Sequence, residues 1–307
     1  MASLRKLFRI QYVSDLHLEH YDKVVFPLLV KPAARYLALA GDIGHARHQN
    51  FRSFLDYTSR NWEHVFYVPG NHEYYQGKSK MWQHHPPATY QSMNECLVDA
   101  VSPYKNIHIL GAGGAAPPSY YIKDENVAIV GSTLWSHIPV EHLVDARCEM
   151  NDYSMIPWEV EGVVCAMHPD DTNELHDTER AIIAEQIQRW GDYGAQVCVL
   201  THHMPSFTLI SPRYVGHHLT TCFASSCEDL MKPHVRAWIY GHTHNAGTGI
   251  IGNTITAVNA HGYPGEVVAG FSNQAWLEFP KEAVRADERD AELLSAARKP
   301  IDDIVFI

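Results

Sequence analysis

The first feature of this sequence is a set of residues that could bind metal ions, because five polar clusters each follow an apolar run. In chain order the clusters are Asp15-Leu16-His17, Gly41-Asp42, Gly70-Asn71-His72-Glu73, His202-His203 and Gly241-His242-Thr243-His244. The oxygen and nitrogen donors of Asp, Asn and His suit divalent metal ions. The clusters offer more donors than one ion can use, so the sequence predicts a hydrolytic site with two metal ions.

The order of strands and helices explains how clusters so far apart in the chain could meet. Apolar runs at 8–13, 36–40 and 65–68 read as strands, and helical stretches follow the second and third of them. This alternation predicts βαβ units in a mainly parallel sheet. Asp15, Asp42 and Asn71 would then lie at the carboxyl ends of neighbouring strands, where α/β sheets place their sites.

The rest of the chain is predicted to contain further helices and strands and one long stretch of loops. Helices are expected at 50–62, 88–101 and 178–190, the last ended by Gly191. Further strands are expected at 107–110, 127–133, 197–200, 235–240, 248–251, 255–258 and 275–279. We interpret residues 135–172 mostly as loops. The expected organisation is one catalytic domain over 1–280, with 281–307 as a helical extension packing on it.

Charge and composition exclude several classes of protein. The chain has 307 residues, enough for a large core, and a net charge of −11 that disfavours a protein gripping long nucleic acid. No apolar run approaches the roughly 20 residues that a membrane span needs. The basic start before residue 10 is too short for a signal peptide, and none of the six cysteines forms a C-x-x-C pair. We therefore expect a cytoplasmic protein with free thiols.

The individual clusters differ in how strongly they indicate a metal. Asp15 with His17, and Asp42 after its glycine, are weak alone because ordinary turns also explain them. The pair His242 and His244 is more specific, since imidazoles two residues apart after a strand can point at two different ions. Two buried structural histidines are the alternative for that pair.

Only one imidazole is needed from the fourth cluster. His202 is nearer the strand end and is the favoured ligand, with His203 left open. His203 and Arg213 are candidate substrate contacts, Arg213 because a guanidinium can bind phosphate, although a solvated surface arginine is the favoured interpretation. The turn-rich segment 259–266 could form a wall of the site or be an ordinary turn.

Taken together, the five clusters resemble the calcineurin-like metallophosphoesterases over about residues 8 to 280. The resemblance implies a four-layer α-ββ-α sandwich with mixed sheets and a metal site at the carboxyl ends of the strands. The ligands it implies for a first ion are Asp15, His17, Asp42 and His244. Those it implies for a second ion are the bridging Asp42, Asn71, His202 and His242.

The resemblance also implies a reaction. Two ions would generate a bridging hydroxide that attacks a phosphomonoester or phosphodiester, and His72 would protonate the leaving group. The substrate would be a small phosphorylated molecule. The ligand types do not distinguish manganese, iron, zinc, cobalt and nickel.

One position departs from the family. Many members continue the second motif as G-D-x-x-D, and the last Asp orients the catalytic His. Here the run is Gly41-Asp42-Ile43-Gly44-His45, so His45 takes that place. The sequence leaves open whether Glu73 or a backbone carbonyl orients His72 instead.

Three alternatives compete with a phosphoesterase of small substrates. A nuclease of the same fold is disfavoured by the negative net charge. A non-catalytic scaffold of the same fold is disfavoured because Asn71, His72 and both histidines of the last cluster are retained. A dinucleotide-binding enzyme is disfavoured because no G-x-G-x-x-G follows the first strand.

Overall fold

The structure is a computed structural model that describes residues 7–77 and 87–281. Its strands, in chain order, are β1 (Leu7–Val13), β2 (Tyr36–Ala40), β3 (His64–Val68), β4 (Ile107–Ile109), β5 (Ser119–Ile122), β6 (Val127–Ser132), β7 (Pro157–Val160), β8 (Val163–Ala166), β9 (Gln196–Thr201), β10 (Val235–Tyr240), β11 (Ala246–Ile251), β12 (Thr254–Asn259) and β13 (Trp276–Pro280). Its helices are α1 (Phe26–Leu29), α2 (Gln49–Asn61), α3 (Tyr90–Val101), α4 (Leu143–Glu149), α5 (Asp152–Met155) and α6 (Pro169–Tyr193).

Two mixed sheets hold most of these strands. The first has the order β13-β1-β2-β3-β4, in which β1 to β4 are parallel and β13 is antiparallel. The second has the order β11-β12-β10-β9-β6-β5, with a parallel centre and antiparallel edge strands. The predicted α/β class with mixed sheets is therefore confirmed.

Three apolar clusters show why the sheets and helices pack as they do. Along β2, Leu37 and Leu39 face one way and join a cluster with α2 and α3, while Ala38 and Ala40 face the other way. The second cluster combines these inward residues with apolar residues of β6, β9, β10 and β12, so it lies between the two sheets. The third packs α6 on the far side of the second sheet.

The middle of the chain differs from the prediction of loops. Residues 135–172 contain α4, α5 and the β7–β8 hairpin, and α6 already begins at Pro169. The helix predicted at 178–190 is therefore longer at both ends. His168 and Asp171 form a capping box at its start, and Gly194, with φ of 84°, ends it in place of the predicted Gly191. Strand β5 was also not predicted.

Of the predicted extension over 281–307, only Lys281 lies within the described residues. Within the ranges that the structure describes, no helix is both long and apolar enough to cross a membrane. All six cysteines are free, as expected.

The two sheets meet at the edge where their parallel strands end. Ser14, after β1, forms a parallel bridge with Ala260, after β12. In the same region the backbone N–H of Gly262 donates to the carbonyl of Asp15, which also joins the two sheets. Within the first sheet the Asp15 N–H donates to Gly41, and within the second the Gly241 N–H donates to His202. Residues that follow β1, β2, β9 and β10 therefore share one crevice.

Candidate metal centre

The crevice brings all five polar clusters together. A first group consists of Asp15, His17 and His244, whose donor atoms lie within 4.8 Å of one another. His17 Nε2 is 3.1 Å from His244 Nε2, and His244 Nε2 is 3.6 Å from Asp15 Oδ1. Three donors converging at such distances form a pocket for one cation.

A second group consists of Asp42, His202 and His242, also within 4.8 Å. His202 Nε2 is 3.4 Å from Asp42 Oδ1 and 3.0 Å from Asn71 Oδ1. The other Asp42 oxygen, Oδ2, is 3.9 Å from His17 Nε2 of the first group. Asp42 therefore presents one oxygen to each group.

Hydrogen bonds distinguish the two histidines after β9 as possible metal ligands. His202 Nδ1 donates to the Ala40 carbonyl at 2.8 Å, which leaves Nε2 with its lone pair towards Asp42. His203 Nδ1 instead accepts from the backbone N–H of Ser136 at 3.1 Å. The geometry thus favours His202 over His203 as a ligand. His203 is buried, stacks on His242 at 4.2 Å, and is not among the residues that line the adjacent cavity.

The loops that carry the donors have unusual backbone conformations. Positive φ angles occur at Asp15, His17, Asp42, His242 and His244, with values between 45° and 66°. Side chains larger than glycine rarely adopt this region, and such strain is typical of functional sites.

Glycines beside the donors leave them room. A Cβ at Gly70 would be 2.2 Å from Asp42 Oδ1, and one at Gly41 would be 2.3 Å from His202 Nδ1. A Cβ at Gly241 would be 2.9 Å from Asp15 Oδ2. These positions require glycine because the donor side chains occupy the space of a methyl group.

Carboxylates behind the site hold its parts in place. Glu73 accepts backbone N–H bonds from Asp42, Ile43 and Gly70, and a bond from the Tyr67 hydroxyl, at 2.8–3.0 Å. It thereby joins the loops after β2 and β3. Its carboxylate is fully used, so Glu73 does not orient His72, which was one of the two possibilities that the sequence left open.

Two further acids orient donors directly. Asp152 Oδ1 accepts from Asn71 Nδ2 at 2.7 Å, which turns the amide oxygen of Asn71 towards His202. Glu266 Oε2 accepts from His244 Nδ1 at 2.8 Å. Carboxylates paired with ligands in this way fix their orientation. Neither acid was singled out from the sequence, although Glu266 lies in the segment 259–266.

His72 lies at the border of the two groups. Its backbone N–H donates to Asp42 Oδ1 at 2.9 Å, and its Nε2 is 3.0 Å from the Tyr263 hydroxyl and 4.0 Å from Asp42 Oδ2. Its Nδ1 is 3.6 Å from Glu19 Oε1. Neither Glu19 nor Tyr263 was singled out from the sequence, although Glu19 follows the first cluster closely and Tyr263 lies in the turn-rich segment 259–266.

The pKa values show that the buried carboxylates attract positive charge. Burial disfavours charge on His202, but Asp42 outweighs it and raises the pKa of His202 to about 10. Burial is likewise outweighed at His72, whose pKa rises to about 9 beside Asp42 and Glu19. Despite its own burial, Asp42 has a lowered pKa because of His202 and His72. Bound cations supply the same charge without protonating the ligands.

Glu19 carries its charge despite burial. Burial alone would raise its pKa, but contacts with His17 and His72 outweigh this and lower the pKa to about 2.

Burial and the neighbouring His202 lower the pKa of His242. His242 is therefore neutral, as a metal ligand must be.

The residues present fit two divalent ions. Among the described residues, the buried atom His242 Nε2 has no hydrogen-bond partner. Buried polar atoms are normally paired, so unpartnered ones inside a cluster of donors indicate a missing partner such as an ion. The mixed oxygen and nitrogen donors match the preferences of manganese, iron, zinc, cobalt and nickel.

An open cavity of about 450 Å³ adjoins the site. It is bordered by Asp42, Asn71, His72, His242 and His244 on one side. Arg213, Tyr214, His217 and Phe223 lie on its lining, and Arg213 stacks over the Tyr214 ring at 4.6 Å. The structure thus brings Arg213 to the cavity, together with Tyr263 and Glu266 of the turn-rich segment, but it does not bring His203 there.

Three known proteins are similar to this chain over most of its length. An uncharacterized protein of Acanthamoeba polyphaga mimivirus is 28% identical over 273 residues, which is 84% of this chain and 92% of the viral protein. The crystal structure of a phosphopantetheinyl hydrolase from Mycobacterium tuberculosis has a TM-score of 0.60 at 19% identity, covering 83% of this chain and 89% of that one. A dimetal phosphatase from Danio rerio has a TM-score of 0.47 at 11% identity, covering 90% and 93%.

The family itself is identified by the sequence profile for calcineurin-like phosphoesterases. This profile matches residues 8–246, which carry all five polar clusters and both sheets except β12, β13 and most of β11. The chain belongs to the calcineurin-like phosphoesterase family.

Proposed function

We propose that this protein hydrolyses a small phosphomonoester or phosphodiester at a centre of two divalent metal ions, within a catalytic domain over 1–280. The observation that carries the proposal is the position of Asp42, whose two oxygens face two separate groups of donors. One carboxylate between two groups is the arrangement that lets two ions lie close together.

The chain's own residues divide between the two ions. Asp15, His17 and His244 would hold the first, and Asn71, His202 and His242 the second, with Asp42 shared. When bound, the two ions would lower the pKa of a water molecule and offset charge on the phosphoryl oxygens.

His72 is the candidate general acid. Its side chain is 11% exposed, borders the cavity and comes within 4.0 Å of Asp42 without belonging to either ligand group. An imidazole there can give a proton to the departing oxygen from Nε2. In the protein without substrate this nitrogen is 3.0 Å from the Tyr263 hydroxyl. A substrate oxygen could occupy the position of that hydroxyl.

The cavity limits the substrate. A volume of about 450 Å³ suits a small molecule, and Arg213 can contact an anionic group at its rim. The net charge of −11 continues to disfavour a nuclease of long nucleic acid. We also propose a cytoplasmic location, which six unpaired cysteines favour.

The experiment compares turnover by wild type and by His72→Ala. The substrates are phosphomonoesters and phosphodiesters whose leaving groups differ in basicity, and each assay is repeated with each candidate metal ion. The panel includes aryl and alkyl esters and a phosphopantetheinyl carrier protein. Wild type should turn over at least one class. His72→Ala should keep its metals and lose roughly 100- to 10,000-fold in kcat on alkyl esters. The loss should be much smaller for nitrophenyl esters, because nitrophenolate departs without a proton.

Two outcomes would count against this function. Absence of turnover by metal-loaded wild type on the whole panel would favour the non-catalytic scaffold. An equal loss for every leaving group in His72→Ala would assign His72 to phosphate positioning and remove its role as the acid.

A further inference from the structure

Glu19 is a charged side chain in the site that the ligand groups do not use. Its Oε1 lies 3.6 Å from His72 Nδ1, 3.7 Å from His17 Nδ1 and 3.6 Å from His20 Nε2. The side chain is only 17% exposed. A largely buried carboxylate lowers the stability of the fold unless it interacts with the three imidazoles around it. These contacts therefore call for a physical explanation.

The backbone around Glu19 is held firmly. The turn Leu18–His20 follows His17, and the Leu18 N–H donates to the Ile43 carbonyl at 3.1 Å. Asn50 at the start of α2 donates its side-chain amide to the Leu18 carbonyl at 3.0 Å. The backbone that carries Glu19 is therefore held by the first sheet and by α2, independently of His72.

The two ring nitrogens of His72 face different partners. Nε2 points at the cavity side, where Tyr263 and Asp42 lie, and Nδ1 points at Glu19. A carboxylate that accepts a hydrogen bond from the Nδ1–H group leaves Nε2 as the nitrogen that reacts and keeps the ring at a fixed angle. Contacts of this kind are often long without substrate and tighten in the reacting complex.

Three other groups near His72, within the part of the chain that the structure describes, have different partners. Glu73 is fully used by backbone N–H groups and Tyr67. Asp152 binds Asn71 and the Tyr75 hydroxyl. His45 accepts from the backbone N–H of Arg47 and contacts the Gln76 side chain.

We propose that Glu19 is the positioning residue for His72, acting from the turn after β1 and taking the role that His45 does not fill, because both ring nitrogens of His45 contact other groups. This inference rests on the proposed function, because it assigns a role to Glu19 in proton donation by His72.

The test uses the metal-loaded full chain with Glu19→Gln, Glu19→Ala, His72→Ala and the double variant Glu19→Gln/His72→Ala. Glu19→Gln should lower kcat on alkyl esters roughly 10- to 100-fold with little change in KM, and should affect nitrophenyl esters far less. The double variant should be no slower than His72→Ala, because Glu19 acts only through His72. Glu185→Gln, an exposed acid on α6, is the matched control and should equal wild type.

A second readout does not depend on turnover. In the zinc-loaded chain, nitrogen-15 NMR should show the His72 Nδ1 proton in wild type, assigned with His72→Ala, and its loss or shift in Glu19→Ala. Additive losses in the double variant, or an unchanged Nδ1 resonance in Glu19→Ala, would overturn the positioning role.

Three further results distinguish a positioning role from metal binding by Glu19 and from failure of the proposed function. Three ions per chain in wild type and two in Glu19→Gln would make Glu19 a metal ligand and overturn the proposal, since His17, Glu19, His20 and His72 lie close enough to bind one. If wild type hydrolyses nothing, the proposed function fails while the NMR comparison still tests the contact. If wild type is active but Glu19→Gln is unimpaired, only this inference fails.

Discussion

Asp152 shows how single residues that bind no ion determine the metal centre. Its Oδ1 receives both the Asn71 amide and the Tyr75 hydroxyl, and the residue is 3% exposed. An Asn side chain could otherwise present either its oxygen or its nitrogen to an ion. The Asp152 contact therefore selects the oxygen.

We expect Asp152→Ala to weaken binding of the second ion by roughly 10- to 100-fold, because Asn71 loses the group that turns it. Titration calorimetry of the metal-free chain with manganese measures this. Asp152→Asn, which keeps an acceptor oxygen, should fall between wild type and Asp152→Ala. Asp177→Ala on the exposed face of α6 is the control. Wild-type affinity in Asp152→Ala would show that Asn71 needs no such support.

At this scale the sequence predicts donors better than their supports. Asp42, Asn71 and His242 stand in short motifs that follow apolar runs, so their types and positions suggest ligands. Asp152, Glu19 and Tyr263 reach the site from loops and a short helix, and nothing in their local sequence distinguishes them from surface residues. Their partners are fixed only when the chain folds.

Among the elements, α6 carries a buried acid with a consequence for stability. Glu179 is 5% exposed, and burial outweighs the nearby N–H groups of Leu134 and Trp135 and raises its pKa from 4.5 to about 7. The folded chain thus holds a proton that the unfolded chain releases above pH 4.5. The stability linked to this proton is complete below pH 4.5 and is lost as the pH rises through 7.

Glu179→Gln should remove this pH dependence. The shift corresponds to about 3 kcal/mol, so the variant should be more stable than wild type at pH 8 by an amount of that order. Chemical denaturation at pH 4.5, 6, 7 and 8 measures the free energy of unfolding of both chains without metal. An equal slope in the two chains between pH 4.5 and 7 would contradict a protonated Glu179.

The sequence predicts well those elements whose apolar residues coincide with the positions that are buried. The runs at β2, β9 and β10 are buried at every position, and their apolar sequences show it. The β7–β8 hairpin was missed because Val160, Val163 and Val164 are exposed, so no alternation marks it. Helix α5 has four residues and depends on tertiary contacts, since such a short helix does not form alone.

For the whole molecule, the result that local sequence could not supply is the meeting of the two sheets. The parallel bridge between Ser14 and Ala260 joins strands almost 250 residues apart in the chain. It places the clusters of both sheets at one edge, and it also gives Asp42 its position between two donor groups. The resemblance to a family anticipated this topology, whereas periodicity and spacing predicted only that the strand ends of the first sheet are neighbours.

A bridged two-metal centre is tested by a crystal structure of the manganese- or zinc-loaded chain with anomalous diffraction data, together with the same crystals of Asp42→Ala. We expect two anomalous peaks on either side of Asp42, one beside Asp15, His17 and His244 and one beside Asn71, His202 and His242. Asp42→Ala should lose or strongly weaken both peaks, because it removes the shared ligand. A single peak in the fully loaded wild type, or two peaks that persist at full strength in Asp42→Ala, would contradict a bridged two-metal centre.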